Sequence, residues 1–326
     1  MAENLDELFG DGEEDFLMSI LESDNDEINL KSINPLEKMD IYQMNYIEDK
    51  HWYFKYRIEV LSELIKKYIK GDNLDILDIG VGTGTLSKLL DTLGNTIHME
   101  NDDEIIKFNN KVNPDLNIIK AGVPWNINLL KDQKFDYIVM LNLMEYVDNQ
   151  KWIIDVLKAS LKEDGKIIIS TLSNASPIGA NDTAYGIIKK FSLDELKDIL
   201  IQESLKIDNY TFFENPSIYK KFSENTDKAL KEDDLYWNYI SKDNNITLEY
   251  YESKELKQVV KHGIKQGNQL FIVSSKMTQK DKEDYKKEQE KKKERKFIDK
   301  LIDSVVDSRD KKEKEKQEEI NEYINQ

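Results

Sequence analysis

No cysteine occurs anywhere in the 326 residues, which excludes a disulfide framework, a thiolate metal site and a cysteine nucleophile. Histidine is nearly as scarce: His51, His98 and His262 are the three copies, so imidazole has few places from which to act as a base. No apolar run approaches the roughly 20 residues that span a bilayer. The first residues, with Glu3, Asp6 and Glu7, lack the basic and apolar regions of a signal peptide. A cytoplasmic location and no membrane span are therefore expected. Positive charge is also short. A net charge of −17 opposes contact with a phosphate backbone, so nucleic acid is not an expected partner.

The hydrophobic share is 39% and the charged share 34%, a balance set largely by the two ends. Residues 1–27 hold eleven acids and no Lys or Arg, and residues 276–326 hold sixteen basic and fifteen acidic side chains. The ends account for −11 and +1 of the net −17, leaving −7 on a middle segment able to build an ordinary core. Residues 1–34 are expected to form an acidic disordered tail. In it Leu5, Leu8 and Phe9, then Phe16, Leu17, Ile20 and Leu21, fall at helical spacing. That pattern suits a solvating tail or a docking segment for a protein partner. Residues 277–326 read as a charged helical tail, with one short apolar stripe at Ile298, Leu301, Ile302, Val305 and Val306.

Between the tails, strands and helices alternate, the pattern of a doubly wound α/β sheet. Strands are expected near 74–79, 95–100, 116–120, 135–141 and 165–171. An antiparallel closing pair is expected near 205–213 and 269–274. Helices are expected over 35–70 and 150–161. Another starts at Ser192, whose spacing to Glu195 makes a capping box. Residues 214–262 are too long for a hairpin and are expected to be a helical insertion over the carboxyl edge of the sheet. They and the loop Asn174–Tyr185 would shape an acceptor pocket.

The strand Leu74–Ile79 runs into Gly80-Val81-Gly82-Thr83-Gly84, and the next strand ends at Glu100. The glycines let the backbone turn sharply and lie against a flat ligand, and the carboxylate is placed to accept ribose hydroxyls. The spacing departs from the dinucleotide fingerprint, whose third glycine falls on Thr85. Asp78 beside the turn opposes an anionic pyrophosphate and suits the sulfonium and ammonium of S-adenosylmethionine (SAM).

With these motifs the chain resembles the class I SAM-dependent methyltransferases from about His51 to Lys276. Leu77–Gly84 looks like the family's first motif and Met99-Glu100 like its second. Phe135–Met140 looks like its fourth strand and Leu161–Ser170 like its turn into strand five. Glu145-Tyr146-Val147 stands where many members carry Glu-His-Val. The upstream His51-Trp52-Tyr53-Phe54-Lys55-Tyr56-Arg57 is similar to a stretch of one subgroup found among polysaccharide and lipid-linked glycan genes. The resemblance implies a seven-stranded, mostly parallel, Rossmann-like sheet and SAM as cofactor. Asp78 would hold the methionine end directly or through water, the Gly80–Gly84 backbone would curve around it, and Glu100 would take the ribose hydroxyls.

Asn142 maps to the same edge. Arg57 is suited to pair with the methionine carboxylate and Tyr53 to face the sulfonium, although the aromatics of this helix also suit plain packing. Where the family usually carries an acid for adenine, this chain has Gly122, so the base must be read by backbone or by a neighbour. Trp125 suits purine stacking or a core position. Candidates for a base are His51, Glu145 and Tyr146; His98 and His262 are expected to be structural. Asn142 and Glu145 alone do not make an oxygen cage, so no metal is expected. The leading function is methyl transfer to a small-molecule, glycan or lipid-linked acceptor. The alternatives are a protein methyltransferase and a non-catalytic scaffold of the same fold.

Overall fold

The computed structural model describes residues 40–50, 52–121, 133–179, 182–183, 185–215 and 255–324. The expectations for the tail 1–34, for His51, Gly122 and Trp125, and for most of the insertion 214–262 lie outside the described residues.

Two helices lead in, α1 (Ile41–Lys50) and α2 (Trp52–Tyr68), where the sequence pattern suggested one helical stretch. The α/β body follows: β1 (Leu74–Ile79), α3 (Thr85–Asp91), β2 (Gly94–Glu100), α4 (Asp103–Val112), β3 (Ile118–Lys120) and β4 (Phe135–Leu141). A 3-10 turn (Met144–Tyr146), α5 (Gln150–Ala159), β5 (Leu161–Leu172), α6 (Leu193–Gln202), β6 (Leu205–Phe213), α7 (Lys257–His262) and β7 (Gln269–Lys276) complete it. The strands form one seven-stranded sheet in the order β3-β2-β1-β4-β5-β7-β6. The pairs from β3 to β5 are parallel, and β7 runs antiparallel to both its neighbours. β6 therefore ends at the same edge as β1, β2 and β4.

Strand alternation sends neighbouring residues to opposite faces. Ile76, Val139, Ile168, Phe271 and Val273 join Val60, Leu61, Leu64 and Ile65 of α2 in one core. Leu77, Ile138, Met140, Ile167, Ile169 and Ile272 join Ile153, Ile154 and Leu157 of α5 and Leu196 and Leu200 of α6 in the other. The buried positions 53, 56, 60, 61, 64 and 65 of α2 follow helical periodicity. α6 starts at the expected capping box: the Glu195 amide donates to Ser192 Oγ at 3.1 Å and the Ser192 amide to Glu195 Oε2 at 2.8 Å.

Residues from Met277 on form a separate unit whose helix, α8 (Gln279–Ile324), has 46 residues. At 1.5 Å per residue it is about 69 Å long. Among the described residues no helix is long and apolar enough to cross a membrane.

Candidate active site

The turn after β1 is braced by bonds from α1, β2 and α4. Gly80 donates its amide to Met99 O at 2.9 Å, and Gly84 donates to Val81 O at 3.0 Å. Asn109 and Asn113 of α4 donate to the carbonyls of Gly82 and Thr83 at 2.8 and 2.9 Å. Glu48 of α1 accepts from Thr83 and Thr85 hydroxyls at 2.6 and 2.9 Å. Gly82 and Gly84 have φ of 55° and 82°. A Cβ at Gly84 would run into Asn109 Oδ1 and Asn113 Nδ2, whereas one at Gly82 would meet nothing within 4 Å among the described residues. One side of the turn is packed shut and the other is open, as a flat ligand requires.

Glu100, at the end of β2, braces the same turn. Its Oε2 accepts from the Val81 amide at 3.0 Å, and Oε1 accepts from Asn101 and Asp102 amides at 2.7 and 3.0 Å. A carboxylate offers about four acceptor positions, so this arrangement leaves room for one ribose hydroxyl beside the three amides.

Asp78 sits beneath the turn. Leu77 and Ile79 take one face of β1, which turns Asp78 toward α3 and its paired neighbour His98. Its Oδ2 accepts from Ser87 Oγ at 2.6 Å and lies 2.9 Å from His98 Nδ1. The second ring nitrogen, Nε2, lies 3.0 Å from Asp91 Oδ1. Burial lowers the pKa of His98, but bonds to and charge from Asp78 and Asp91 outweigh it, and the net shift is upward. While these bonds stand, Oδ2 of Asp78 is not offered to a ligand. His98, expected to be structural, is fully buried between the two acids.

The third group lies where β4, β6 and β7 meet the end of α2. Asn142 adopts a left-handed backbone, φ 51°. Its Oδ1 accepts from Arg57 Nη2 at 3.1 Å, and its Nδ2 donates to Glu145 Oε1 at 3.0 Å and Gln269 Oε1 at 2.9 Å. Arg57 lies 5.7 Å from the Tyr53 ring centre, and its Nε is 3.0 Å from Glu214 Oε1. That pair is close without being aligned: neither Arg57 Nε nor Glu214 Oε1 completes a hydrogen bond, and Gln269 Nε2 lacks one too. Glu214 is buried, with φ 57°, and its Oε2 accepts from Tyr53 Oη at 3.0 Å. Burial pushes its carboxyl up to about 7, against the pull of Arg57 and the Tyr53 bond.

Tyr53 thus bonds to Glu214, and Arg57 lies beside it. Of the base candidates, Glu145 is buried, its oxygens taken by Asn142 and by Thr171 Oγ1 at 2.8 Å, and burial raises its pKa. Tyr146 is 43% exposed, and partial burial and the Glu145 charge push its phenol up to about 12. Glu214, Gln269 and Glu48 were not singled out by sequence. For Glu214 a signal existed: it directly follows β6, whose end lies at the carboxyl edge, much as Glu100 closes β2 there.

Residues 53–262 match the family model described as a methyltransferase domain. The chain belongs to that family, with S-adenosylmethionine as its cofactor. A mitochondrial ubiquinone biosynthesis O-methyltransferase of Dictyostelium discoideum is 29% identical over 159 residues, 44% of this chain and 47% of that one. The chain thus spans about half the length of that relative. A ubiquinone biosynthesis O-methyltransferase of Rickettsia bellii is 27% identical over 200 residues, 56% of this chain and 81% of its own. Among solved structures, a SAM-dependent methyltransferase from Archaeoglobus fulgidus is 17% identical with a TM-score of 0.46, covering 72% of this chain and 100% of its own.

Proposed function

We propose that the protein methylates an oxygen of a small-molecule acceptor, with glycans and lipid-linked saccharides the first classes to try. The observation that carries this reading is the gathering of three features at one sheet edge. They are the open side of Gly82, the carboxylate of Glu100, and the Arg57–Asn142 pair. The ubiquinone O-methyltransferase names of the relatives favour a small acceptor and an oxygen as the atom methylated. The upstream aromatic stretch favours a saccharide.

In this reading the Gly80–Gly84 backbone lies along the cofactor and Glu100 accepts a ribose hydroxyl. Arg57 and Asn142 meet the methionine end, and adenine is read at Gly122 by backbone or by a neighbour. Asp78 supports the turn from below through Ser87 and His98. SAM supplies a methyl carbon already activated on a sulfonium. The chain has then to align the acceptor and, for a hydroxyl, to receive its proton.

Calorimetric titration of SAM and S-adenosylhomocysteine into the protein and its Glu100→Ala variant tests the cofactor site. Micromolar binding by the wild type, lost in a folded variant, is the expected result. Transfer of labelled methyl from SAM to panels of small-molecule, glycan, lipid and protein acceptors then tests the acceptor class. Absence of binding by folded wild type overturns the reading; label entering protein alone overturns the small-molecule acceptor.

A further inference from the structure

Arg57 has more carboxylates within reach than one cation serves. In the structure its Nε stands 3.0 Å from Glu214 Oε1, but the N–H is not directed along that line and both atoms lack a completed hydrogen bond. The Arg57 side chain is 22% exposed while that of Glu214 is fully buried. The cation has an outer face and the anion has none. Two residues that touch Arg57, Asn142 and Glu214, are both held in the left-handed region without being glycine. Such strain persists only where surrounding structure imposes it, and it gathers at ligand sites.

Glu214 is enclosed by other elements. Tyr53 and Tyr56 reach it from α2: Tyr53 Oη donates to Oε2, and Tyr56 Oη accepts from the Glu214 amide at 3.2 Å. Glu255, ahead of α7, adds a like charge nearby, and Lys190, ahead of α6, an opposite one. The charge of Glu145 also acts on Arg57. The Glu214 side chain itself is fully buried, so its charge is poorly solvated once its arginine is removed.

Resting on the reading that Arg57 meets the methionine carboxylate, we infer that Glu214 is an internal stand-in for that carboxylate. It holds Arg57 in the empty site, and it takes a proton from solvent when the ligand draws the arginine away. The movement needs no new charge in the core, because the buried acid becomes neutral as its partner leaves. The folded acid's midpoint near 7 places the exchange in the neutral range.

The sign follows from linkage. At pH 6 Glu214 is already mostly protonated, and ligand binding takes up little. Near pH 8 it is ionised in the free protein, and binding takes up close to one proton. Affinity therefore falls as pH rises above about 7, by up to tenfold per unit.

The test is titration of S-adenosylhomocysteine between pH 6 and 8, in buffers of differing ionisation enthalpy, into wild type and Glu214→Gln. The expected result is proton uptake that grows with pH in the wild type. The variant should show a flat affinity, tighter than wild type at pH 8. The ligand's amino group is common to both proteins and cancels in the comparison. Tyr53→Phe keeps the carboxylate but removes the bond that favours its charge, so its affinity should begin to fall at a higher pH. This variant keeps the inference testable if Glu214→Gln does not fold. Methylthioadenosine, which lacks the carboxylate, should bind without the extra proton. Equal proton counts and pH profiles in wild type and Glu214→Gln overturn the inference while leaving the cofactor site intact. So does equal uptake with methylthioadenosine. No binding of either ligand by folded wild type overturns the cofactor reading itself.

Discussion

His98 shows how a single buried side chain couples the fold to pH. Both of its ring nitrogens face carboxylates, Asp78 and Asp91, so only the imidazolium can donate to both. Its folded pKa is raised. The stability it contributes is complete below the unfolded value of about 6.5 and is lost as pH rises through the folded value. Glu214, also raised, gives up its contribution over a lower window, from 4.5 to about 7. Denaturant unfolding measured at half-unit pH steps should therefore show wild-type stability falling in two stages as pH increases, and His98→Gln should lack the upper one. At pH 6, His98→Ala should cost about 3–5 kcal/mol, because it leaves the buried Asp78 without its charged partner.

Among the elements, the glycine turn separates folding from binding. Gly84→Ala drives a Cβ into the two asparagine side chains of α4 at a φ of 82°, and should unfold the domain or lower its melting temperature sharply. Gly82→Ala meets no neighbour; it should cost only the left-handed penalty of about 1 kcal/mol yet impair binding of S-adenosylhomocysteine by standing on the open side. Melting curves and calorimetry on the two variants check this contrast. The central strands were legible because β1 and β4 are short, largely apolar runs bounded by turn residues. β1, β4 and β6 fall where the pattern places them. β5 begins at Leu161 rather than near 165, since its pairing with Phe135 across an irregularity draws the charged turn into the sheet. The same pairing ends α5 at Ala159. The protein partners of these side chains were not legible. Asp78 was read as holding the methionine end directly or through water, and alternation along β1 also brings its Oδ2 to Ser87 and His98. Arg57 was read without Glu214, which is remote in sequence and which only the completed sheet brings beside it.

At the scale of the molecule, the buried members of both cores among the described residues lie at or before Val273. Within α8, ion pairs such as Lys292–Glu288 at 2.8 Å lie between exposed side chains, each worth a few tenths of a kcal/mol. A chain ending at Lys276 should accordingly keep the melting temperature and S-adenosylhomocysteine affinity of the full protein. A fall in either would assign α8 a part in the domain. The braces of the glycine turn carry a consequence of another kind. Most come from α1, β2 and α4, and the bond inside the turn, Gly84 N–H to Val81 O, does not hold its shape alone. It closes only when the sheet has paired and α1 and α4 have docked, late on the folding path. An early nascent chain therefore offers the cofactor no surface to template. What the cofactor can change is how slowly the finished domain comes apart, and not how quickly it is made.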